Sequence, residues 1–277
     1  MTAAPVTPPV NLADACEESR FGGKAAQLGE AIRAGLPVPD GFALSADFAE
    51  AVADGDASAT AALMERYRTL GLPVSVRSSG IGEDTEQTSF AGQHLTVLNL
   101  RAPETVVQAV RDVWASGRTD SARAYRRLFG LAGEPRIGVV VQRLIAPDTA
   151  GVMFTRHPMT DADERVIDAS WGLGEAVVGS LVAPDHYRIT RHGEVLERRP
   201  GRKDIALRIL PGGGVVHDPV LKERVRALCL DDEDLKALND LASRCEAVYS
   251  DAHDIEWAIE RRSVYLLQRR PITTGKR

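Results

Sequence analysis

The segment Asp254-Ile255-Glu256-Trp257-Ala258-Ile259-Glu260 alternates strictly between acidic or small side chains and large apolar ones. A period of two is the mark of a β-strand with one buried face. Arg261-Arg262-Ser263 reads as a turn, and Val264-Tyr265-Leu266-Leu267-Gln268-Arg269-Arg270-Pro271 as the returning strand of a hairpin. Asp254, Glu256, Ala258 and Glu260 share one face of the first strand, opposite Ile255, Trp257 and Ile259; Gln268 and Arg270 share a face of the second. The pleat can therefore set Glu256, Gln268 and Arg270 on the same side, facing a cleft. A carboxylate beside an amide oxygen suits a hard cation such as Mg²⁺, which takes its remaining ligands from phosphate and water. A solvated polar face of an antiparallel sheet has the same spacing, and spacing alone leaves both readings open.

A second constraint is Val74 to His94, VSVRSSGIGEDTEQTSFAGQH. Val74, Ser75 and Val76 lead as a strand into Arg77, and a glycine-, hydroxyl- and acid-containing loop follows. The run is too poor in large apolar residues to pack a core. An arginine delivered to a loop rich in backbone donors is suited to phosphate, through bidentate guanidinium bonds and N–H groups unobstructed by a Cβ. A surface loop with a salt-bridged arginine is the alternative.

Phe21-Gly22-Gly23-Lys24 opens a third candidate. The glycine pair feeds a helix in which Ala25, Leu28 and Ile32 share one face, with Gly35 as its C-cap. A helix N-terminus with a lysine in its first turn attracts anions. The pattern is not a GxxxxGK[ST] loop, and a solvated lysine at a helix start also fits it.

The totals exclude several classes. A 277-residue chain can hold one large domain or two lobes with separate cores. A net charge of −5 with scattered basic residues gives no nucleic-acid footprint. No apolar run approaches the roughly 20 residues that span a bilayer, and MTAAPVTPPVNLAD lacks the basic and apolar regions of a secretory signal. Cys16, Cys229 and Cys245 are odd in number and widely spaced, which disfavours a disulfide framework or a structural zinc site and points to a reducing cytoplasm.

Between these features the chain reads as mixed α+β. Ser45 is a candidate N-cap, and helices are expected near 59–70, 104–115, 121–131, 220–228 and 232–249. Ile137 to Ile145 is a buried strand with Gln142-Arg143 near its end, and Ala146-Pro147 breaks it. The lobe boundary is expected there, giving lobes 1–146 and 147–277. Strands follow from Ala150 to Thr155, Arg165 to Ser170, His186 to Thr190 and Glu194 to Arg198.

In order, the Gly-Gly-Lys helix, Val-Arg-Ser-Ser with its loop and Ser-Phe-Ala-Gly-Gln, Val-Gln at a strand end, Gly-Val-Met-Phe-Thr, Trp-Gly-Leu-Gly-Glu, Asp-Ile-Glu-Trp-Ala and Leu-Gln-Arg-Arg-Pro run from Gly22 to Pro271. This succession resembles the ATP-binding domain of the phosphoenolpyruvate synthase and pyruvate phosphate dikinase family, which includes rifampicin phosphotransferase. The resemblance implies an ATP-grasp-like α+β fold whose two lobes clamp ATP in a central cleft. It implies that Lys24 and Arg77 hold the phosphates, that Gly92 and Thr96 lie in the loop over them, and that Gln142 sits near adenine. Glu256 and Gln268 would ligate Mg²⁺ and Arg270 would contact the phosphates, so that Lys24, Arg77 and Arg270 are the catalytic cations. Glu175 either serves the site or pairs with a local arginine.

The implied chemistry splits ATP to AMP and passes a phosphoryl group to a histidine on a separate swivelling domain or chain. None of His94, His157, His186, His192, His217 and His253 sits in a phosphohistidine-like setting. His94 lies nearest the phosphate loop, and His157 is a candidate for the cleft. Two alternatives stay open: a standalone ATP-dependent kinase or ligase acting on a small-molecule acceptor, and a nucleotide-binding module without turnover.

Overall fold

Alternating runs become strands and 3.6-spaced runs become helices over most of the chain. The computed structural model describes residues 6–71, 73–82, 95–128, 133–249 and 252–272. They fall into two units: Met1–Arg33, Asp40–Leu144 and Gly212–Gly214 in the first, and Ala34–Pro39, Ile145–Pro211 and Val215–Arg277 in the second.

The first unit contains β1 (Val10–Asn11), α1 (Glu18–Phe21), α2 (Gly23–Arg33), β2 (Gly41–Leu44), α3 (Ala46–Ala53), α4 (Ala57–Leu70), β3 (Val74–Gly80), β4 (Thr96–Leu100), α5 (Pro103–Ser116), α6 (Asp120–Leu128) and β5 (Ile137–Arg143). The strands form one antiparallel sheet, in the order β1-β2-β5-β3-β4. Phe42, Leu44, Val76, Val139 and Val141 point to one side and pack with Phe48, Val52, Leu63, Val106 and Val110 of α3, α4 and α5. Each such side chain, fully buried, contributes about 1.5–3 kcal/mol. Ser45 caps α3, its hydroxyl accepting the Phe48 N–H at 3.2 Å.

The other side of this sheet receives α1 and α2, and Gly22 sets how closely. A Cβ there would lie 2.0 Å from the Ser79 carbonyl oxygen, and its φ of +82° also favours glycine. The Ser79 hydroxyl accepts the Ala25 N–H at 3.0 Å, so β3 caps the first turn of α2.

The second unit contains β6 (Thr149–Phe154), β7 (Glu164–Trp171), α7 (Glu175–Val178), β8 (Asp185–Thr190), β9 (Val195–Arg199), β10 (Ile205–Ile209), β11 (Val215–Pro219), α8 (Asp232–Tyr249), β12 (His253–Glu260) and β13 (Ser263–Pro271). Its large antiparallel sheet runs β13-β12-β6-β7-β8-β9, and β10 and β11 make a separate hairpin. Arg165, 1% exposed, reaches α8 through Asn239, Ser243 and Glu246. By alternation and register, Ile167, Met153 and Ile255 lie on that same α8-facing side. There they meet buried Leu235, Leu238, Leu241 and Cys245 of the helix.

Val220 to Leu228, expected as a helix, is a succession of turns. Its backbone groups bond outward instead: the Val225 carbonyl accepts from Lys203 N–H at 3.0 Å, and the Arg224 carbonyl accepts from the Trp171 indole at 3.2 Å. Tertiary partners override local propensity.

Lys203 and Asp185 form an ion pair with both side chains fully buried. Asp185 also accepts the N–H groups of Gly201 and Cys229, each at 2.7 Å. Removing the cation strands a buried carboxylate. Lys203→Met is therefore expected to lose about 3–5 kcal/mol in urea unfolding; a loss below about 1 kcal/mol, the scale of an exposed pair, would contradict this role.

Candidate functional site

In the first unit, Arg77 is flanked in register by Thr96 on β4 and Val140 on β5, and Ser75 pairs with Gln142. Arg77, Thr96 and Gln142 therefore share one sheet face. It is the face opposite the Val76, Val139 and Val141 core and the one on which α2 lies, with Lys24 in its first turn. Lys24 is 5% exposed and Gln142 2%, while Arg77 and Thr96 are half-buried. Lys24, Arg77, Thr96 and Gln142 thus belong to one sheet and the helix docked on it; Thr96, expected in the loop over the phosphates, instead opens β4, where it pairs with Arg77. Gly92, His94 and the loop Ser89 to Gln93 lie outside the described residues.

In the second unit, the hairpin register sets Asp254 opposite Arg270 and Glu256 opposite Gln268. Facing side chains in such pairs have Cβ atoms roughly 4.5–5.5 Å apart. The register then shifts, so that Trp257 pairs with Leu266 and Leu267 is the extra residue of a β-bulge. Leu266 is fully buried beside Trp257, while Gln268, 5% exposed, stays on the Glu256 face. On that face Glu256 neighbours Val152 and Asp254 neighbours Phe154 across β6. Tyr265 and Leu267 pack beside Ile145, Ala150 and Ala258.

Asp254 is the residue to which the sequence reading gave no role. Its Oδ1 and the Arg270 Nε are buried without a hydrogen-bond partner among the described residues. Burial pushes the Asp254 carboxyl up to about 6; the Glu256 charge adds to the rise and Arg270 opposes it. The available signal was its place two residues before Glu256 on an alternating strand. Asp254, Glu256 and Gln268 together offer only oxygen donors, and one of those oxygens is buried and unpartnered. That set fits Mg²⁺. No group of three or more His, Cys, Asp or Glu placed to hold a metal occurs among the described residues.

The remaining candidates are more local. Glu175 opens α7, half-buried. The His157 ring Nδ1 accepts N–H bonds from Met159 and Thr160 at 3.2 and 3.3 Å, which ties it to its own turn. His186, on the same sheet face as Glu256, hydrogen-bonds Asp168 at 2.8 Å.

The raised Asp254 value fixes the sign of a pH effect. The folded chain holds this proton more tightly than the unfolded chain, whose ordinary value is near 3.8. The contribution to stability is complete below about pH 4 and is lost as pH rises through about 6. In metal-free buffer Asp254→Asn is expected to flatten urea stability between about pH 4 and 6 and to gain on the order of 2–3 kcal/mol at pH 7. Destabilisation at pH 7 would show that the ionised carboxylate is well accommodated.

Residues 48–277 match the family described as pyruvate phosphate dikinase, AMP/ATP-binding domain. The chain is 36% identical to rifampicin phosphotransferase of a Streptomyces species, over 94% of this chain and 35% of that protein. It is 36% identical to the prodigiosin synthesizing transferase PigC of Serratia marcescens, over 93% and 32%. Identity is 35% to a probable phosphoenolpyruvate synthase of Methanothermobacter thermautotrophicus, over 91% and 44%. The chain thus spans less than half the length of each. Among solved structures, PH1788 of Pyrococcus horikoshii aligns over 94% of this chain and 95% of that one at 13% identity, with a TM-score of 0.45. D-alanine–D-alanine ligase of Bacillus anthracis aligns over 90% and 56% at 10% identity, with a TM-score of 0.42. Similarities at that score have no bearing on function. Among the described residues no helix is long and apolar enough to cross a membrane.

Proposed function

The chain belongs to the pyruvate phosphate dikinase AMP/ATP-binding domain family, and from that membership we propose that it binds ATP, splits it to AMP and passes a phosphoryl group to a histidine on a separate domain or chain. The first and second units are read as the lobes of an ATP-grasp-like fold; against the expected 1–146 and 147–277, the boundary falls after Leu144, Ala34–Pro39 goes with the second unit and Gly212–Gly214 with the first. The observation that carries the reading is the hairpin register, with Glu256 opposite Gln268 and Asp254 opposite Arg270 on one face.

Glu256 and Gln268, with Asp254 beside them, would hold Mg²⁺. Once bound, Mg²⁺ supplies positive charge to the phosphate oxygens and orients them. The protein's own part is positioning and charge. Lys24, Arg77 and Arg270 offset the negative charge that spreads over the transferring group, Thr96 beside Arg77 contributes a hydroxyl, and the Gln142 amide hydrogen-bonds the base. Within each unit the cations are held on a sheet or on a docked helix, so that little local reorganisation is needed when the phosphoryl group moves.

The acceptor lies beyond this segment in the reading. Three relatives share the segment under different names: rifampicin phosphotransferase, prodigiosin synthesizing transferase and probable phosphoenolpyruvate synthase. That supports an ATP-using part common to several acceptors. Arg77→Ala and Glu256→Ala are each expected to lower ATP turnover by about a hundredfold or more with an unchanged circular dichroism spectrum. Full activity in either variant would sink the site assignment. AMP release that depends on an added phosphohistidine domain supports transfer to histidine, whereas turnover driven by a small molecule alone would replace that acceptor.

A further inference from the structure

A second candidate site lies wholly within the second unit, at the opposite end of β12 from Asp254. It is a cavity of about 440 Å³, where Thr149 opens β6, Trp171 closes β7, Ile259 lies one residue from the end of β12 and the β12–β13 turn begins. Five residues of strand, roughly 16 Å, separate Ile259 from Asp254. The volume is that of a small-molecule pocket. Trp171, Leu228, Leu230 and Ile259 give it an apolar wall.

Three arginines and three aspartates also line it, and the acids are already engaged. The Arg262 guanidinium holds Asp231 at 2.7 Å and Asp234 at 2.9 Å. Asp148 accepts the main-chain N–H of Arg261 at 2.8 Å. The guanidinium of Arg261 has no ion pair or hydrogen bond among the described residues. That of Arg224 lies 3.9 Å over the Trp171 ring, likewise without a carboxylate.

The turn adds an independent observation. Arg261 and Arg262 form the two-residue loop between paired Glu260 and Ser263, with φ of +48° and +69°. Such turns favour Asn-Gly or Asp-Gly, because side chains resist positive φ. The ion pairs of Arg262 account for an arginine at the second position. Among the described residues no partner accounts for the Arg261 side chain, whose strained backbone brings a cation to the cavity.

We propose that this cavity binds a small organic anion, a carboxylate or phosphate monoester with an apolar body. Its oxyanion bridges Arg261 and Arg224, and its body lies on the wall formed by Trp171, Leu228 and Ile259. Arginine pairs suit such oxyanions because their planar donors match the spacing of the oxygens.

The test is calorimetric titration of the whole chain with benzoate, phenyl phosphate and neutral benzyl alcohol. Saturable binding of either anion at one site, without binding of the alcohol, is expected, and the anion that binds names the headgroup. Arg261→Asn and Arg224→Gln should each weaken it by about tenfold or more, while Arg270→Gln leaves it unchanged. Asparagine tolerates positive φ, so Arg261→Asn should melt no lower than the wild type, which separates lost binding from lost folding. Absence of saturable anion binding, equal binding of benzyl alcohol, unchanged binding in Arg261→Asn, or loss confined to Arg270→Gln would each overturn the proposal.

Discussion

The β12–β13 ladder is the interaction on which the second unit depends, because it must satisfy two faces at once. One face is dry: Ile255, Trp257 and Leu266 are fully buried on the α8 side. The other carries Asp254, Glu256, Gln268 and Arg270. Strict alternation along β13 would put Leu266 on the same face as Gln268 and Arg270. The bulge at Leu267 removes that conflict, since one extra residue resets the phase between the apolar and polar halves of the strand. Packing and candidate chemistry therefore rest on the same register.

The first unit uses a comparable arrangement. A valine-rich sheet buries one face under α3, α4 and α5, and the opposite face presents Arg77, Thr96 and Gln142. Gly22 lets α2 approach closely enough for Ser79 to bond its first turn. Gly22 is thus required by packing whether or not an anion binds. In both units a rigid, well-packed face supports a polar one, which suits chemistry that needs fixed charges.

Much of this was legible in the sequence. Strict alternation over 254–260 gave the hairpin and its faces, and helical spacing gave α8 over the observed span. A serine before an apolar helical run marked the α3 cap. Illegible features were those that depend on a neighbour distant in sequence. The bulge answers to the partner strand, and nothing in Leu266-Leu267 announces it. Asp254 is perturbed because its strand lies beside β6 and close to Glu256 and Arg270. The 220–228 segment has helical spacing, yet its backbone bonds to Lys203 and Trp171 instead. The roles of Thr96 and Gln142 came from resemblance, and the register adds that they share a face with Arg77.

The central claim is that Glu256 and Gln268 act as one cation-holding pair across the ladder. A double-mutant cycle on ATP affinity, using Glu256→Gln, Gln268→Leu and the double variant, measured by calorimetry with and without Mg²⁺, tests it most directly. The predicted result is a coupling of about 1 kcal/mol or more with Mg²⁺, near zero once it is chelated. Additive losses in both conditions, or ATP affinity unchanged by either substitution, would contradict it.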